Sequence, residues 1–484
     1  MMANNSFSFY WHDYETFSAD PMRGRASQFA GIRTDENFNI IGQPLVIYNK
    51  IADDLIPDPE ACLITGITPQ KTLDEGISEN DFIGAIHAEF SQPMTCGVGY
   101  NNLRFDDEVT RHTLYRNLYE PYGREWQHGN SRWDIIDMVR LTHALRPEGI
   151  NWPKHENGET SFRLEDLTKA NHIEHESAHD ALSDVYATIA IAKLIQQKQP
   201  KLYQFIFKNR QKQTIFSLLN IRQFKPVIHI SSMYPVSQGC CALIVPLCGH
   251  PTNKNGIIAY DLRFDPNQFL SLSVDDIRER LFTTRQQLEE KGLERIPLKT
   301  VHANKCPIIV PAGTLNPDSA IQYNISIEQS LQYIEILKKQ VVFIENVRQA
   351  FDQQIDDGRV IDADYALYHG GFFSDKDKNL MQKIHELAPQ NLAKKSFQFD
   401  HPYLHELFFR YRARNFPMTL TSQEQSQWQS FCQQKLSSTS KDGCMTYLLF
   451  DEKIKMIKES QNLSEIETNL LVKLTEFVEQ RRTG

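Results

Sequence analysis

The run Phe7-Ser8-Phe9-Tyr10-Trp11-His12-Asp13-Tyr14-Glu15-Thr16-Phe17 decides how this chain is read. Aromatic side chains dominate it, which predicts a strand. Strand side chains alternate, so Phe7, Phe9, Trp11, Asp13 and Glu15 share one face. Two carboxylates on an otherwise apolar face are costly, and a divalent cation is the usual compensation. The plain alternative is a surface turn with two solvated acids. Because D-x-E is common, the choice rests on the rest of the chain.

Two more acidic motifs lie downstream. The first is Asn101-Asn102-Leu103-Arg104-Phe105-Asp106-Asp107-Glu108, which follows an apolar strand and opens a helix. An acid in a first helical turn is favoured by the helix dipole, so capping is the plain explanation for Asp106 and Asp107. The second is His179-Asp180-Ala181-Leu182-Ser183-Asp184. On a single helix His179 and Asp184 would point roughly 140° apart. That places His179 in the turn before the helix and Asp184 on its first turns. Asp180 and Asp184 are four residues apart, and either could be the inward carboxylate.

Outward from these motifs, the first ~200 residues read as α/β. Strands are predicted at 6–14, 27–34, 44–49, 94–100 and 133–137. Helices are predicted at 79–91, 105–120, 138–145, 161–171 and 178–197. In the last of these Leu182, Val185, Ile189 and Ala192 fall at helical spacing, and Pro200 closes it. From about 224 the pattern changes to short β-rich runs at 226–231, 241–246, 256–262, 298–303 and 306–310, as in a small barrel. A long helix is predicted over 326–352. The stretch from Asp352 to Asp364 holds five acids in thirteen residues and reads as a linker. Helices follow near 376–386, 401–413, 422–434, 443–458 and 463–482, with a polar loop at 435–442.

A chain of 484 residues is too long for one ordinary core, so two or three domains are expected. With 40% apolar and 23% charged residues it has a globular composition. No run of about 18 apolar residues is present, which excludes a membrane-spanning helix from the sequence reading. The start, Met1-Met2-Ala3-Asn4-Asn5, lacks the basic and apolar parts of a secretory signal. Eight dispersed cysteines without a C-x-x-C pair suggest reduced thiols, a cytoplasmic protein and no zinc site. The net charge of −9 argues against a coat of basic surface. It leaves room for a local basic groove.

D-x-E on a strand, N-x-x-F-D at a helix start and H-x-A-x-x-D at a later helix resemble, in order and spacing, the DEDD exonuclease superfamily in its histidine-bearing subclass. Further runs resemble the bacterial exonuclease I family: Leu63–Gln70, Gly99–Asn102, Ser131–Asp134, Leu145–Pro153 and Ser161–Glu165, then His302–Pro307, Gly371–Asp375 and Tyr411–Pro417. Ala303 and Gly370-Gly371 read as local variation within it. The resemblance implies an α/β ribonuclease H-like exonuclease domain over 1–199. It implies a β-rich SH3-like barrel domain over 200–354 and a helical C-terminal domain over 356–484.

It also implies a function: processive degradation of single-stranded DNA from 3′ to 5′, releasing 5′-mononucleotides, in DNA repair and recombination. The implied catalytic set is Asp13, Glu15, Asp106, His179 and Asp184. Asp13, Glu15 and Asp184 would be the main ligands of two Mg²⁺ ions, which Mn²⁺ could replace, with Asp106 completing the carboxylate set. Two cations about 4 Å apart around one phosphate would drive the hydrolysis. His179 would be the general base, for which a neutral imidazole is suited near neutral pH. Glu15 and Arg163 would bind substrate. The barrel and helical domains would form a clamp in a monomer. Arg146 is a candidate contact for the acidic tail of single-stranded DNA-binding protein.

Basic and aromatic residues interleave after the second motif, at Arg111, Arg116, Tyr119, Tyr122, Arg124, Trp126, Arg132, Trp133 and Arg140. Phosphate charge and base stacking make Arg111, Tyr122, Trp126 and Arg140 the favoured strand contacts. Ordinary surface and core roles are the alternative. Arg410, Arg412 and Arg414 alternate on a predicted helix, as a solvated face or as a phosphate-tracking or interdomain device. Two rival functions are an RNA-trimming 3′ exonuclease of the same superfamily and a non-catalytic single-strand-binding protein. The ~280 residues beyond the first region count against the former, and the intact set of acids counts against the latter.

Overall fold

The computed structural model describes residues 6–175, 180–352, 361–439, 443–460 and 463–483. The chain forms two compact units. One comprises 1–131, 175–189 and 359–484, and the other 132–174 and 190–358.

The first unit is built on β1 (Ser8–Thr16), β2 (Ala26–Thr34), β3 (Ile40–Tyr48) and β4 (Thr95–Gly99), in the spatial order β3-β2-β1-β4. β1 is antiparallel to β2, with Asp13 opposite Ala30 and Glu15 opposite Gln28, and a bulge follows at Glu15/Thr16. β1 and β4 are parallel, with Trp11 opposite Val98. The predicted alternation of β1 is realised. Phe9 and Trp11 meet Phe38 on one side, and Tyr10, His12 and Tyr14 meet Phe29 on the other. α1 (Glu79–Phe90) covers the second side with Phe82, Ile83, Ile86 and Phe90, so the central strand is buried on both faces. α2 (Asp106–Arg116) and α3 (Ala181–Lys198) carry the second and third acidic motifs.

The C-terminal segment of this unit is helical: α4 (Leu404–Asn415), α5 (Ser422–Leu436), α6 (Tyr447–Ser460) and α7 (Glu465–Thr483). Phe450, Ile454, Leu471 and Leu474 share one core with Phe17, Ile51, Ile56 and Cys62. Leu404, Leu407 and Tyr411 share another with Tyr115 and Leu118. Distant parts of the chain therefore close common cores.

The second unit begins at Arg132, inside β5 (Ser131–Asp134), and holds an antiparallel five-stranded sheet. Its strands are β6 (Val227–Ile230), β7 (Cys241–Gly249), β8 (Gly256–Asp261), β9 (Leu298–His302) and β10 (Ile309–Pro311), in the order β10-β6-β7-β8-β9. Pro246 lies inside β7, and the register shifts between Pro246 and Cys248. A residue without an N–H belongs at such a bulge. The sheet packs Val227, Ile244, Ile257 and Val301 around Ile215 and Leu219.

Two sequence expectations are corrected. The helix predicted over 326–352 is two helices, Ile327–Leu337 and Val341–Ala350. Gln340 leaves helical geometry at φ −99° and ψ 62°, without a proline or glycine to announce it. The acidic stretch 352–364 is not all linker. Residues 353–360 lie outside the described residues, but Asp362 caps the 3-10 helix Ala363–Tyr368, and Asp364 is wholly buried against Arg410 and Arg414. Its compensating charges come from ~50 residues away, which local composition does not reveal.

Candidate active site

The three acidic motifs meet in the first unit. Ligand oxygens of Asp13, Glu15 and Asp184 all lie within 4.8 Å of one another. Asp13 and Glu15 reach the site from alternate positions of β1, and Asp184 comes from the first turn of α3. Asp106 opens α2 but does not cap it; its Oδ1 accepts the backbone N–H of Tyr14 at 3.1 Å. That bond ties the second motif to the residue lying between Asp13 and Glu15. Gly99 allows the approach. A Cβ there would lie 2.7 Å from the Asn102 Cβ and 3.0 Å from the His12 carbonyl.

The pair left open by sequence is separated by geometry. Asp180 accepts the Ser183 N–H with Oδ2 and the Gln28 amide with Oδ1 at 3.3 Å, while Asp184 enters the carboxylate group. Asp107 faces away from it and pairs with buried Arg124 at 2.8 Å. His179 lies outside the described residues. A second histidine, His175, bonds Asp184 through Nε2 at 2.6 Å. Sequence reasoning passed over it because it lies nine positions before Asp184, with no spacing rule to connect the two.

The site is electrostatically loaded. Burial, then Asp106, Glu15, Asp184 and Asp180, hold the Asp13 carboxyl well above the ordinary range. Burial, then Asp184, Asp106 and Asp180, push Glu15 up to about 9. Crowded carboxylates of this kind call for a cation. The donor set fits a hard one: the three convergent ligands are all carboxylates, with no thiol or imidazole among them.

The residues named as strand contacts fall into two groups. Trp126 is 66% exposed, and Tyr122 is half-buried. The Arg163 side chain is 70% exposed. Arg111, by contrast, is buried and held by Glu108 and Glu125, both at 2.7 Å, and Arg140 pairs with Asp137 at 2.6 Å. Of their neighbours, Arg116 and Arg124 are buried in ion pairs and Trp133 is core. Arg410, Arg412 and Arg414 do not form a solvated face. They pair with Asp362 and Asp364, with Glu424, and with Asp54 and Asp364 respectively.

Three family models match the chain: "Exonuclease" over 10–192, "Exonuclease I SH3-like domain" over 210–353 and "Exonuclease I C-terminal domain" over 361–481. The exodeoxyribonuclease I of Haemophilus influenzae is 45% identical over 471 residues, 97% of this chain and 98% of its own. A solved exonuclease I from Methylocaldum szegediense superposes with a TM-score of 0.94 at 46% identity, covering 98% of this chain and 99% of its own. Escherichia coli exonuclease I in complex with a dA16 oligonucleotide gives 0.93 at 42% identity, covering 98% and 100%. Other solved relatives include a zinc-bound form of an E. coli ExoI–ssDNA complex and an ExoI/SSB-Ct complex.

Proposed function

The chain belongs to the exodeoxyribonuclease I family, and from that premise we propose that it shortens single-stranded DNA processively from the 3′ end, releasing 5′-mononucleotides, in DNA repair and recombination. It is a single-stranded DNA exonuclease whose exonuclease domain is followed by an SH3-like and a helical C-terminal domain. The functional stretches are taken as 1–199, 200–354 and 356–484. The observation that carries the reading is the convergence of Asp13, Glu15 and Asp184 within 4.8 Å.

In this mechanism Asp13, Glu15 and Asp184 would hold two Mg²⁺ ions, which Mn²⁺ could replace, and Asp106 would complete the set. When bound, the cations lower the pKa of an attacking water and neutralise charge on the phosphate and the departing 3′-oxygen. Asp106, anchored on the Tyr14 N–H, keeps α2 and β1 in register around the phosphate. His179 takes the proton of the attacking water. Glu15 and Arg163 meet the terminal nucleotide. Trp126 and Tyr122 offer rings to successive bases. Arg111 and Arg140 contact phosphates through N–H groups left over by their carboxylate partners.

An SSB-Ct complex of a relative supports a second partner here: the acidic tail of single-stranded DNA-binding protein, meeting Arg146. The protein acts as a cytoplasmic monomer. All eight cysteines are free, as a reducing compartment would keep them, and among the described residues no helix is long and apolar enough to cross a membrane. Matched DNA and RNA strands labelled at the 5′ end test the reading. Shortening of DNA that a 3′ block prevents is expected. Preference for RNA, or shortening despite the block, would contradict it.

A further inference from the structure

His175 has no part in the mechanism above, yet its side chain contacts Asp184. Its Nε2 lies 2.6 Å from Asp184 Oδ1, with the histidine side chain 6% exposed and the aspartate 18%. A carboxylate that ligates a cation can only accept, so in that state the contact is a hydrogen bond from His175 Nε2–H to Asp184 Oδ1. A nitrogen that is already donating cannot take a proton from water, which separates this histidine from a general base. The consequence for Asp184 is mechanical. A carboxylate held only by its own chain swings about its Cβ–Cγ bond, whereas one whose oxygen is held by a buried imidazole has its plane fixed, and with it the direction in which it faces the other acids. Asp184 also stands among acids that repel it, since it and Asp106, Asp180 and Glu15 together raise Asp13. A hydrogen-bond donor steadies such a group without competing for the cation.

We propose that His175 is a positioning residue for the cation site, orienting the Asp184 carboxylate toward Asp13 and Glu15. The proposal rests on the cation site described above, and its test separates the two. Mn²⁺ binding is measured calorimetrically on the full chain without DNA, for the unsubstituted protein, His175→Phe and His175→Gln. Phenylalanine keeps the ring and loses the donor, while glutamine keeps a donor. Melting temperatures in chelator check that each variant folds.

The Phe variant is expected to bind Mn²⁺ about tenfold more weakly, the scale at which supporting partners tune metal sites. It should need a correspondingly higher Mg²⁺ concentration for half-maximal turnover, with kcat at saturating Mg²⁺ nearly preserved. The Gln variant should recover most of the affinity. Unchanged Mn²⁺ affinity in the Phe variant overturns the proposal alone. Loss of kcat at saturating Mg²⁺ with binding intact overturns it too, in favour of a direct chemical role. Absence of Mn²⁺ binding by the unsubstituted chain would instead strike the cation site itself.

Discussion

Glu15 shows how a single side chain reports on the site. Its carboxyl is pushed from an ordinary 4.5 up to about 9, by burial first and then by Asp184, Asp106 and Asp180. A carboxyl raised on folding contributes stability that is present below the unfolded value and lost as pH rises through the folded one. In chelator, the melting temperature should therefore fall between pH 5 and pH 9. A bound cation reverses the penalty, so the rise in melting temperature on adding Mg²⁺ should be larger at pH 9 than at pH 6; equal rises would contradict the account. Trp126 and Arg111 are both proposed strand contacts, but they differ in what else they hold. Trp126→Ala removes an exposed ring, so stability should hardly change while affinity for single strands drops by about 1–3 kcal/mol. Arg111→Ala removes the ion pairs to Glu125 and Glu108 and should cost about 3 kcal/mol of folding stability. Chemical denaturation and strand-binding titrations separate the two effects. At this scale the acids were legible because their spacing reflects chemistry. The partners of Arg111 and Asp184 were not, because partner choice depends on which side chains the fold brings together.

At the scale of elements, the site depends on how closely β4 and the turn into α2 approach one another. Gly99 has no side chain to keep Asn102 away, and Asn102 in turn accepts the Phe105 and Asp107 N–H groups. Gly99→Ala should shift the turn that carries Asp106. A displacement of about 1 Å at a reacting centre costs on the order of 10² in rate, so kcat should fall by more than tenfold with a smaller change in melting temperature. An unchanged kcat would show that the turn tolerates the methyl group. Strands β1 to β4 and helices such as α3 and α7 are legible in the sequence to within a few residues because their apolar periodicity is strong. Several shorter helices are absent from the sequence expectations, among them Pro59–Thr65 and Pro69–Glu75, although each of these begins with a capping Asp58 or Thr68 followed by proline. That signal was present and outweighed by the shortness of the segments. The break after Leu337 has no such signal: Lys338, Lys339 and Gln340 are good helix formers, and packing decides where the turn falls.

For the molecule as a whole, the helical C-terminal segment and the first strands are joined through buried charge. Asp54 pairs with Arg25, Arg414 and Lys435, and Asp364 pairs with Arg410 and Arg414. Those cations hold both aspartates well below the usual carboxylate range, and Arg116, Arg25 and Arg414 hold Glu79 down at about 2. Carboxyls lowered on folding contribute stability above their unfolded pKa and lose it as pH falls through the folded one. Acid unfolding should therefore set in between pH 4.5, the ordinary value of Glu79, and about 2. Asp364→Ala, which leaves Arg410 and Arg414 without this partner, should cost about 3–5 kcal/mol, read by denaturant titration. The sequence suggested three successive stretches with a linker before the last. It could not show that 359–484 shares cores with 1–131, since such packing is written in no local pattern. The central claim is that Asp13, Glu15 and Asp184 form one cation-dependent hydrolytic site. Its most direct test is digestion of 5′-labelled single-stranded DNA by the unsubstituted chain and by Asp184→Asn, each with Mg²⁺ and with chelator. The account predicts a ladder of shortened strands only for the unsubstituted chain with Mg²⁺, while the variant still binds the strand. Shortening in chelator, or undiminished shortening by Asp184→Asn, would contradict it.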